Sequence, residues 1–351
     1  MLSCLFDITW FFGGIEDFKK ITIRNLIIRT ISFIFIVLFI KKPDDLILYI
    51  LINSLSTLFS QMSLWVSIRK YVTYRRVKIR SVFSHFRPAL EFFIAKIAVT
   101  LYQNTTKTIL GLMTTMTIVG YYSNSFSIVL MSGNIINAMN TIMIPRMSNM
   151  YGNNDEDGMI KLLEKSIHLQ IFFTIPVCFG IVLITPQLVG WFFGNDFDVI
   201  RHVLPFMAPV VIFQSFQMSV ATQYLIPKKE MKEYNISILI GALITVFSTL
   251  ILVPFFGIYG AVFGINAGYI VVSILRLRVL VQSTDFVFKY KLVLKFLLSA
   301  IFMCVIGRLL TSEMKANIFT TIVQIFIGSI IYMGGTIILK ANPLFKKNYE
   351  R

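Results

Sequence analysis

The sequence predicts an all-α, polytopic membrane protein with about ten transmembrane helices. The 351 residues are 56% hydrophobic and 14% charged, with a mean hydropathy of +0.76, and a soluble core could not enclose so much apolar surface. Most of the 33 Lys and Arg residues also lie in or next to every second gap between long apolar segments. By the positive-inside rule, these basic gaps are predicted to face the cytoplasm.

The predicted spans follow from apolar segments near the length of about 20 residues that a bilayer requires. They lie at about 25–40, 46–66, 89–119, 122–144, 167–186, 200–225, 235–255, 258–280, 292–311 and 316–339. Residues 1–14 resemble the end of a further span, which precedes the first basic gap. The even number of spans after that gap places the C-terminus in the cytoplasm.

The charge distribution and the motifs exclude several functional classes. A net charge of +16 is spread over alternate loops rather than gathered on one face, which argues against nucleic-acid binding. The three cysteines, Cys4, Cys178 and Cys304, fit no metal-ligand spacing. The sequence contains no P-loop and no H-E-x-x-H motif, so we predict no catalytic residue, no metal and no cofactor.

The third apolar segment carries polar residues at a spacing near 3.6, so they share one helix face. They are Lys96, Thr100, Gln103, Asn104, Lys107, Gly111 and Thr114. A charge at the bilayer centre costs about 2.5 to 3.5 kcal/mol, so two lysines on one face should line a wet cavity or pair with acids. The alternative for Lys96 is that its ammonium extends to the cytoplasmic interface beside Glu91.

Two further segments carry amide-rich faces, one with Ser127, Asn134, Asn137 and Thr141 and the other with Gln214, Gln217 and Tyr224. Each stripe alone fits either a cavity or interhelical hydrogen bonds worth about 0.6 kcal/mol each. Three such helices together favour a central hydrated cavity suited to sugar hydroxyls or phosphates. The predicted substrate-binding residues are Lys96, Gln103, Asn104, Lys107, Asn134, Asn137, Gln214 and Gln217.

Helix breakers and small residues indicate how the spans pack. Pro176, Pro205 and Pro209 free carbonyl groups that must find partners on neighbouring helices or in water, because lipid offers none. Gly260, Gly264 and Gly268 recur at every fourth position, which predicts a smooth stripe for close helix approach.

Six short stretches resemble the bacterial oligosaccharide flippases (Wzx-type) of the multidrug/oligosaccharidyl-lipid/polysaccharide exporter superfamily. They are Asp7-Ile8-Thr9-Trp10-Phe11-Phe12 with Gly14 and Glu16, Ile109-Leu110-Gly111, Val119-Gly120-Tyr121-Tyr122, Ile144-Pro145-Arg146-Met147-Ser148, Gln223-Tyr224-Leu225-Ile226-Pro227, and Pro254-Phe255-Phe256-Gly257 leading to Gly260. Their order and spacing extend over almost the entire chain, which makes the set more specific than any one stretch.

The resemblance implies two helix bundles enclosing a cavity that opens alternately to each side. On that plan residues 1–87 are a remnant of the N-terminal bundle, 88–285 form the C-terminal six-helix bundle, and 286–351 form a terminal hairpin and cytoplasmic tail. The chain is therefore expected to be truncated at its N-terminus. It departs from the family at Thr106, where members often carry an acid, and at Ser127, where they often carry a lysine, so no coupling ion is predicted.

The function that the resemblance implies is translocation of undecaprenyl-diphosphate-linked oligosaccharide repeat units across the bacterial cytoplasmic (inner) membrane for capsule or surface polysaccharide. The expected partners are this substrate, membrane lipids, polysaccharide polymerase and chain-length machinery.

Three alternatives stay open: a multidrug extruder, a lipid II flippase, and an inactive product of a truncated gene. Extruders of cationic drugs usually require buried acids, and Glu91 is the one acid in the predicted spans. A polysaccharide polymerase would need a long external loop, which the sequence lacks.

Overall fold

The structure, a computed structural model, describes residues 2–15, 17–68, 70–73, 83 and 86–344. Within these residues every regular element is a helix, in agreement with the predicted all-α class. The chain divides into two compact units, residues 1–84 and 85–351. The three-part division with boundaries at residues 87 and 285 stays a prediction.

The helices follow one another with short connections. The first unit contains α1 (Leu2–Leu5), α2 (Thr9–Gly14), α3 (Phe18–Phe39) and α4 (Leu46–Ile68). The second contains α5 (Phe86–Met113), α6 (Met116–Gly152), α7 (Glu156–Leu188), α8 (Asp198–Met207), α9 (Val210–Val220), α10 (Met231–Phe256), α11 (Ile258–Ser283), α12 (Tyr290–Thr311) and α13 (Ile318–Ile338). Two π-helical turns, Val189–Phe193 and Ala221–Leu225, follow α7 and α9 respectively.

Most of the predicted spans coincide with helices suited to crossing a membrane. Within the described ranges, eight helices are long and apolar enough to do so. A ninth span results if the two halves of α6, Met116–Asn134 and Ala138–Gly152, which meet at 46°, are counted together. The predicted span at 89–119 coincides with α5, which is not among these nine.

The boundary between α5 and α6 differs from the predicted one. The sequence pattern placed it near residues 119–122, whereas α5 ends at Met113 and α6 begins at Met116. The Thr114 hydroxyl donates to the Leu110 carbonyl at 2.5 Å, and the Thr115 side chain accepts a hydrogen bond from the Ile118 amide. Thr115 is thus an N-cap in an otherwise apolar segment, which the hydropathy pattern did not reveal.

The first unit is held together at one end by a small apolar core and by polar contacts between α3 and α4. Phe12 and Leu64 are almost completely buried there. In addition, the Ser60 hydroxyl of α4 donates to Asn25 of α3 at 2.9 Å. The Lys20 ammonium contacts the Asp17 carboxylate and the Tyr71 hydroxyl, each at 2.5 Å.

In the second unit α11 and α7 are the central helices. α11 packs against α10 and α9, and α7 packs against α6, α9, α12 and α13. α5 packs against α10 and α6. Two apolar cores fill the unit; one includes Tyr122 and Leu204, and the other includes Met147 and Phe296.

The predicted glycine stripe lies on the side of α11 that contacts α10. A Cβ added at Gly268 would lie 1.8 Å from the Thr245 hydroxyl, and one at Gly264 would lie 2.4 Å from the Thr249 hydroxyl. At Gly260 the nearest atoms are backbone atoms of Leu252. The two helices approach so closely that only glycine fits, which explains the spacing.

The proline at position 176 shows how a freed carbonyl is satisfied. Pro176 lies inside α7 and has no N–H to donate to the carbonyl of Phe172, one turn earlier. The Tyr332 hydroxyl of α13 donates to that carbonyl at 2.8 Å. The expectation that a neighbouring helix satisfies the freed group is confirmed at this position.

Candidate functional site

Helix α6 has one exposed polar side and one buried apolar side. Ser127, Asn134 and Thr141 are exposed and recur at intervals of seven residues, so they share a face. Tyr122 and Val129, on the other side, are completely buried. The predicted polar stripe is therefore an exposed surface of α6. The side chain of Asn137, which was predicted to share this face, lies outside the described side chains.

Helix α5 is organised in the same way. Asn104 is exposed and Lys107 is half-buried, whereas Thr106 and Leu110 are completely buried. The backbones of Lys96 and Gln103 lie in α5, but their side chains lie outside the described ones. α5 and α6 are in contact. We call Asn104, Lys107, Ser127, Asn134 and Thr141 the polar face.

The two predicted glutamines of α9 lie in different surroundings. The Gln214 amide oxygen lies 3.2 Å from the position of a Cβ added at Gly133, next to Asn134 of the polar face. This oxygen is buried and accepts no hydrogen bond within the described part of the chain. Gln217 is 6% exposed and lies inside the unit. Gln214 thus packs against the buried side of α6 at Gly133, while Gln217 packs between helices.

The position of the polar face within the helices indicates its chemistry. Amides and an ammonium on helices that cross a bilayer are costly in contact with hydrocarbon, so such groups usually face water or protein. Amide groups both donate and accept hydrogen bonds, and lysine adds a positive charge. The face is therefore suited to a hydrated, hydroxyl-rich or anionic ligand.

A buried amide network joins α6, α7 and α9, and the sequence did not predict it. The side-chain oxygen Oδ1 of Asn140 accepts hydrogen bonds from the side-chain amides of Gln170 at 2.9 Å and Gln223 at 2.8 Å. The side-chain oxygen Oε1 of Gln170 accepts a hydrogen bond from the Ser219 hydroxyl at 2.6 Å. The available signal was the presence of lone glutamines within apolar spans. These bonds connect helices rather than line an open surface.

Arg276, near the end of the predicted span at 258–280, is a buried charge that the sequence pattern did not single out. It lies in α11 and is 2% exposed. Its Nη1 donates to the Gln217 carbonyl at 2.7 Å, its Nε donates to the Ser237 hydroxyl at 3.0 Å, and its guanidinium lies 4.9 Å from the centre of the Tyr234 ring. Arg276 joins three helices instead of contributing to loop charge, since its long side chain reaches carbonyls that a hydropathy plot cannot show.

The carboxylate-rich turn before α8 has ordinary surface geometry. Asp196 and Asp198 are exposed, and Asp198 forms an ion pair with Arg201 at 3.2 Å. Among the residues with described positions, no group of three or more His, Cys, Asp or Glu side chains could hold a metal ion.

Comparison with known proteins finds two matching families, each over less than half of the chain, and related membrane proteins. The family described as "Polysaccharide biosynthesis protein" matches residues 4–151, and the family MatE matches residues 92–225. A protein named as a low-salt glycan biosynthesis flippase of Haloferax volcanii is 23% identical over 228 residues, which are 63% of this chain and 46% of that protein. A protein named as an O-antigen transporter of Shigella dysenteriae is 21% identical over 280 residues, which are 79% of this chain and 69% of that protein.

The fold is also similar to a solved structure, the lipid II flippase MurJ in an inward closed conformation. The TM-score is 0.68 at 16% identity, with 84% of this chain and 63% of that chain covered. The chain thus spans less than half of the Haloferax relative and less than two thirds of the solved structure. Both family matches and both relatives point to the same group of membrane transporters. The chain is thus similar to polysaccharide biosynthesis proteins and to membrane proteins named as a glycan biosynthesis flippase and an O-antigen transporter.

Proposed function

We propose that this protein takes part in moving lipid-linked oligosaccharide repeat units across the membrane for the assembly of capsule or another surface polysaccharide. The observation that carries the proposal is the polar face of α5 and α6, exposed on helices of a chain that is similar to a named glycan flippase and a named O-antigen transporter. A substrate with many hydroxyls and a charged diphosphate needs such a surface, because hydrocarbon cannot solvate either group.

The proposed mechanism divides the substrate among three environments. Lys107, with Lys96 on the same helix, attracts the diphosphate, and the amides of Asn104, Asn134 and Gln214 meet sugar hydroxyls. The predicted substrate-binding residues also include Gln103, Asn137 and Gln217. The undecaprenyl tail stays in the bilayer. Transport of this kind makes and breaks no covalent bond, so the proposed activity requires no catalytic residue and no cofactor.

The location belongs to the same proposal. We place the protein in the bacterial cytoplasmic membrane with its C-terminus in the cytoplasm, next to the polymerase and chain-length machinery that use the exported units. The alternation of basic gaps supports this orientation. A C-terminal fusion to green fluorescent protein should fluoresce, whereas a fusion to alkaline phosphatase should be inactive; the opposite pair of results would reverse the orientation.

Deletion of the gene in its source organism tests the function. We expect lipid-linked repeat units to accumulate in the membrane and surface polysaccharide to be lost. Normal surface polysaccharide combined with increased drug sensitivity would favour a drug extruder instead. Arrested growth with accumulated lipid II would favour the second candidate function, cell-wall precursor transport, which the similarity to the MurJ fold brings into consideration.

Exchange of the lysines tests the electrostatic part of the mechanism. In the deletion strain, the double variant Lys96→Met and Lys107→Met should restore much less surface polysaccharide than the unchanged gene. Lys161→Met, an exposed lysine at the start of α7, is the matched control and should restore it fully. Full restoration by the double variant would contradict the proposed attraction of the diphosphate.

A further inference from the structure

A short irregular segment, residues 284–289, connects α11 to α12 and lies against α7. We call it the 284–289 strap. The Thr284 hydroxyl donates to the Leu280 carbonyl at 2.6 Å, which fixes the start of the strap to the end of α11. Phe286 is buried, and its ring stacks at 6.4 Å on the ring of His168 from α7. The strap is therefore docked on α7 through His168.

The hydrogen bonds of His168 define its protonation state. Its Nδ1 lies 2.7 Å from the Glu164 carbonyl, which can only accept, so Nδ1 carries the proton. Its Nε2 lies 3.0 Å from the backbone N–H of Lys289, which can only donate, so Nε2 is the acceptor. The ring is 1% exposed. The observed geometry thus requires a neutral imidazole, with both nitrogens engaged.

A second proton on the ring is incompatible with this arrangement. Protonation would place an N–H on Nε2, directly opposite the N–H of Lys289, so the hydrogen bond that holds the strap would be lost. The charged groups that act on the ring within the described residues are the Glu164 carboxylate and the Lys289 ammonium, which pair with each other at 3.2 Å. From α9, the apolar ring of Phe216 packs edge-on against Phe288 of the strap at 6.1 Å.

The strap also lines an apolar cavity of about 300 Å³ between α7, α9, α11 and α12. Phe288 forms part of its wall together with Ile171, Phe216 and Leu297. The ring of Phe288 lies 5.7 Å from that of His168. A strap that leaves α7 would therefore remove one wall of the cavity.

We propose that His168 is a proton-operated latch, which holds the 284–289 strap on α7 while the imidazole is neutral and releases it when Nε2 is protonated. Histidine is the side chain whose charge ordinarily changes near neutral pH. The latched state carries no proton on Nε2 and the released state can carry one, so acid favours release. The basic residues around the strap place it on the predicted cytoplasmic side, so the latch responds to cytoplasmic pH. It does not depend on which substrate the protein transports.

The test uses the full chain with its three cysteines replaced by serine or alanine and reconstituted in nanodiscs. A nitroxide spin label is attached in the strap through the substitution Val287→Cys, at a position that is exposed. As the pH falls from about 8 to about 5, the mobile component of the spectrum should grow from minor to major. A label attached through Ile330→Cys, exposed on α13, serves as the control, and its spectrum should not change with pH. A strap label whose mobility is independent of pH would overturn the proposal.

Two sets of variants separate the latch from other titrating groups. His168→Gln keeps an acceptor near the Nε2 position but cannot be protonated, so its strap should stay immobile at both pH values; a remaining pH response would overturn the assignment to His168. Lys289→Pro removes the N–H at a residue whose φ of −79° suits proline, and its strap should be mobile even at about pH 8. Lys289→Gln keeps the N–H and should behave like the unchanged protein. An immobile strap in Lys289→Pro would also overturn the proposal, even if His168→Gln fails to fold.

Discussion

The two sides of α11 are joined to their neighbours in opposite ways. Towards α10, the glycine face, which consists of Gly260, Gly264 and Gly268, brings two backbones together with no room for a larger side chain. Towards α8 and α9, the donor face carries Asn266, Ser273 and Arg276, each of which donates to a backbone carbonyl.

The difference follows from the regularity of the partner helices. α10 is continuous, so its carbonyls are used within the helix and close packing is the remaining source of attraction in lipid. The α8–α9 segment is interrupted after Met207 and ends in a π-helical turn. Each carbonyl has two lone pairs, so a carbonyl already bonded within the helix, such as that of Gln217 to the Ala221 N–H, can also accept from a side chain of α11. Carbonyls of Phe206, Phe213 and Gln217 accept these bonds. α10 is thus joined to α11 through close packing along the glycine face together with the Arg276–Ser237 bond, whereas the α8–α9 segment is joined to α11 through hydrogen bonds to its carbonyls.

The largest effect is expected on the glycine face. Gly268→Ala would place a methyl group 1.8 Å from the Thr245 hydroxyl and 3.0 Å from the Gly241 carbonyl. We expect the free energy of unfolding to fall by about 3 kcal/mol, as in an overpacked core. Denaturation in mixed detergent measures it. In the control, Gly180→Ala, no atom lies within 4 Å of the added Cβ, so its stability should be equal or slightly higher. Equal losses at both positions would show that the close approach does not matter.

Removal of the longest donor should have the next largest effect. Arg276→Met leaves the Gln217 carbonyl and the Ser237 hydroxyl without their guanidinium partner, so we expect a loss of about 2 kcal/mol. The change would appear as a lower thermal midpoint in detergent. Arg278→Met, an exposed arginine two residues later on the same helix, should leave the midpoint unchanged. A similar midpoint for the two variants would contradict the role of the buried contacts.

A hydrogen bond outside α11 tests whether open carbonyls are the general cause. Tyr332→Phe removes the donor to the Phe172 carbonyl and should reduce the unfolding free energy by about 1 kcal/mol. In a Pro176→Ala background the alanine N–H can occupy that carbonyl, so the same tyrosine change should cost less. A double-mutant cycle measured by steric trapping gives the coupling. Strictly additive effects of the two substitutions on the unfolding free energy would count against the explanation that Pro176 leaves the Phe172 carbonyl open to Tyr332.

The smallest effect is expected for Ser273→Ala. The Ser273 hydroxyl bonds to the Phe213 carbonyl at 3.1 Å and also to the Tyr269 carbonyl of its own helix at 2.8 Å. Its removal should cost about 0.6 kcal/mol, the average for an interhelical bond in a membrane protein. Ser329→Ala, which removes an exposed hydroxyl bonded only within α13, provides the reference and should cost nothing measurable. A chemical denaturation series with both variants would detect the difference.

The exposed sides of α5 and α6 could be predicted in part because one helix face is a local property, while the role of their residues in a site stays a prediction. Asn104 and Asn134 lie on exposed faces, as their spacing indicated. Gln214 and Gln217 share one stripe in the sequence, yet Gln214 packs against α6 at Gly133 and the backbone carbonyl of Gln217 accepts a hydrogen bond from Arg276 of α11. Periodicity specifies the angle of a residue around its own helix, but not which neighbour occupies that side.

The sequence by itself determined the all-α membrane class, most of the spans, the glycine stripe and the resemblance to flippases, because hydropathy, spacing and short motifs are properties of consecutive residues. The tertiary structure decided which polar groups meet. Asn140 and Gln223 are 83 residues apart, and Arg276 and Gln217 are 59 residues apart. His168 and Lys289, which form the proposed latch, are 121 residues apart. Contacts of this kind depend on how whole helices pack, and no local pattern contains that information.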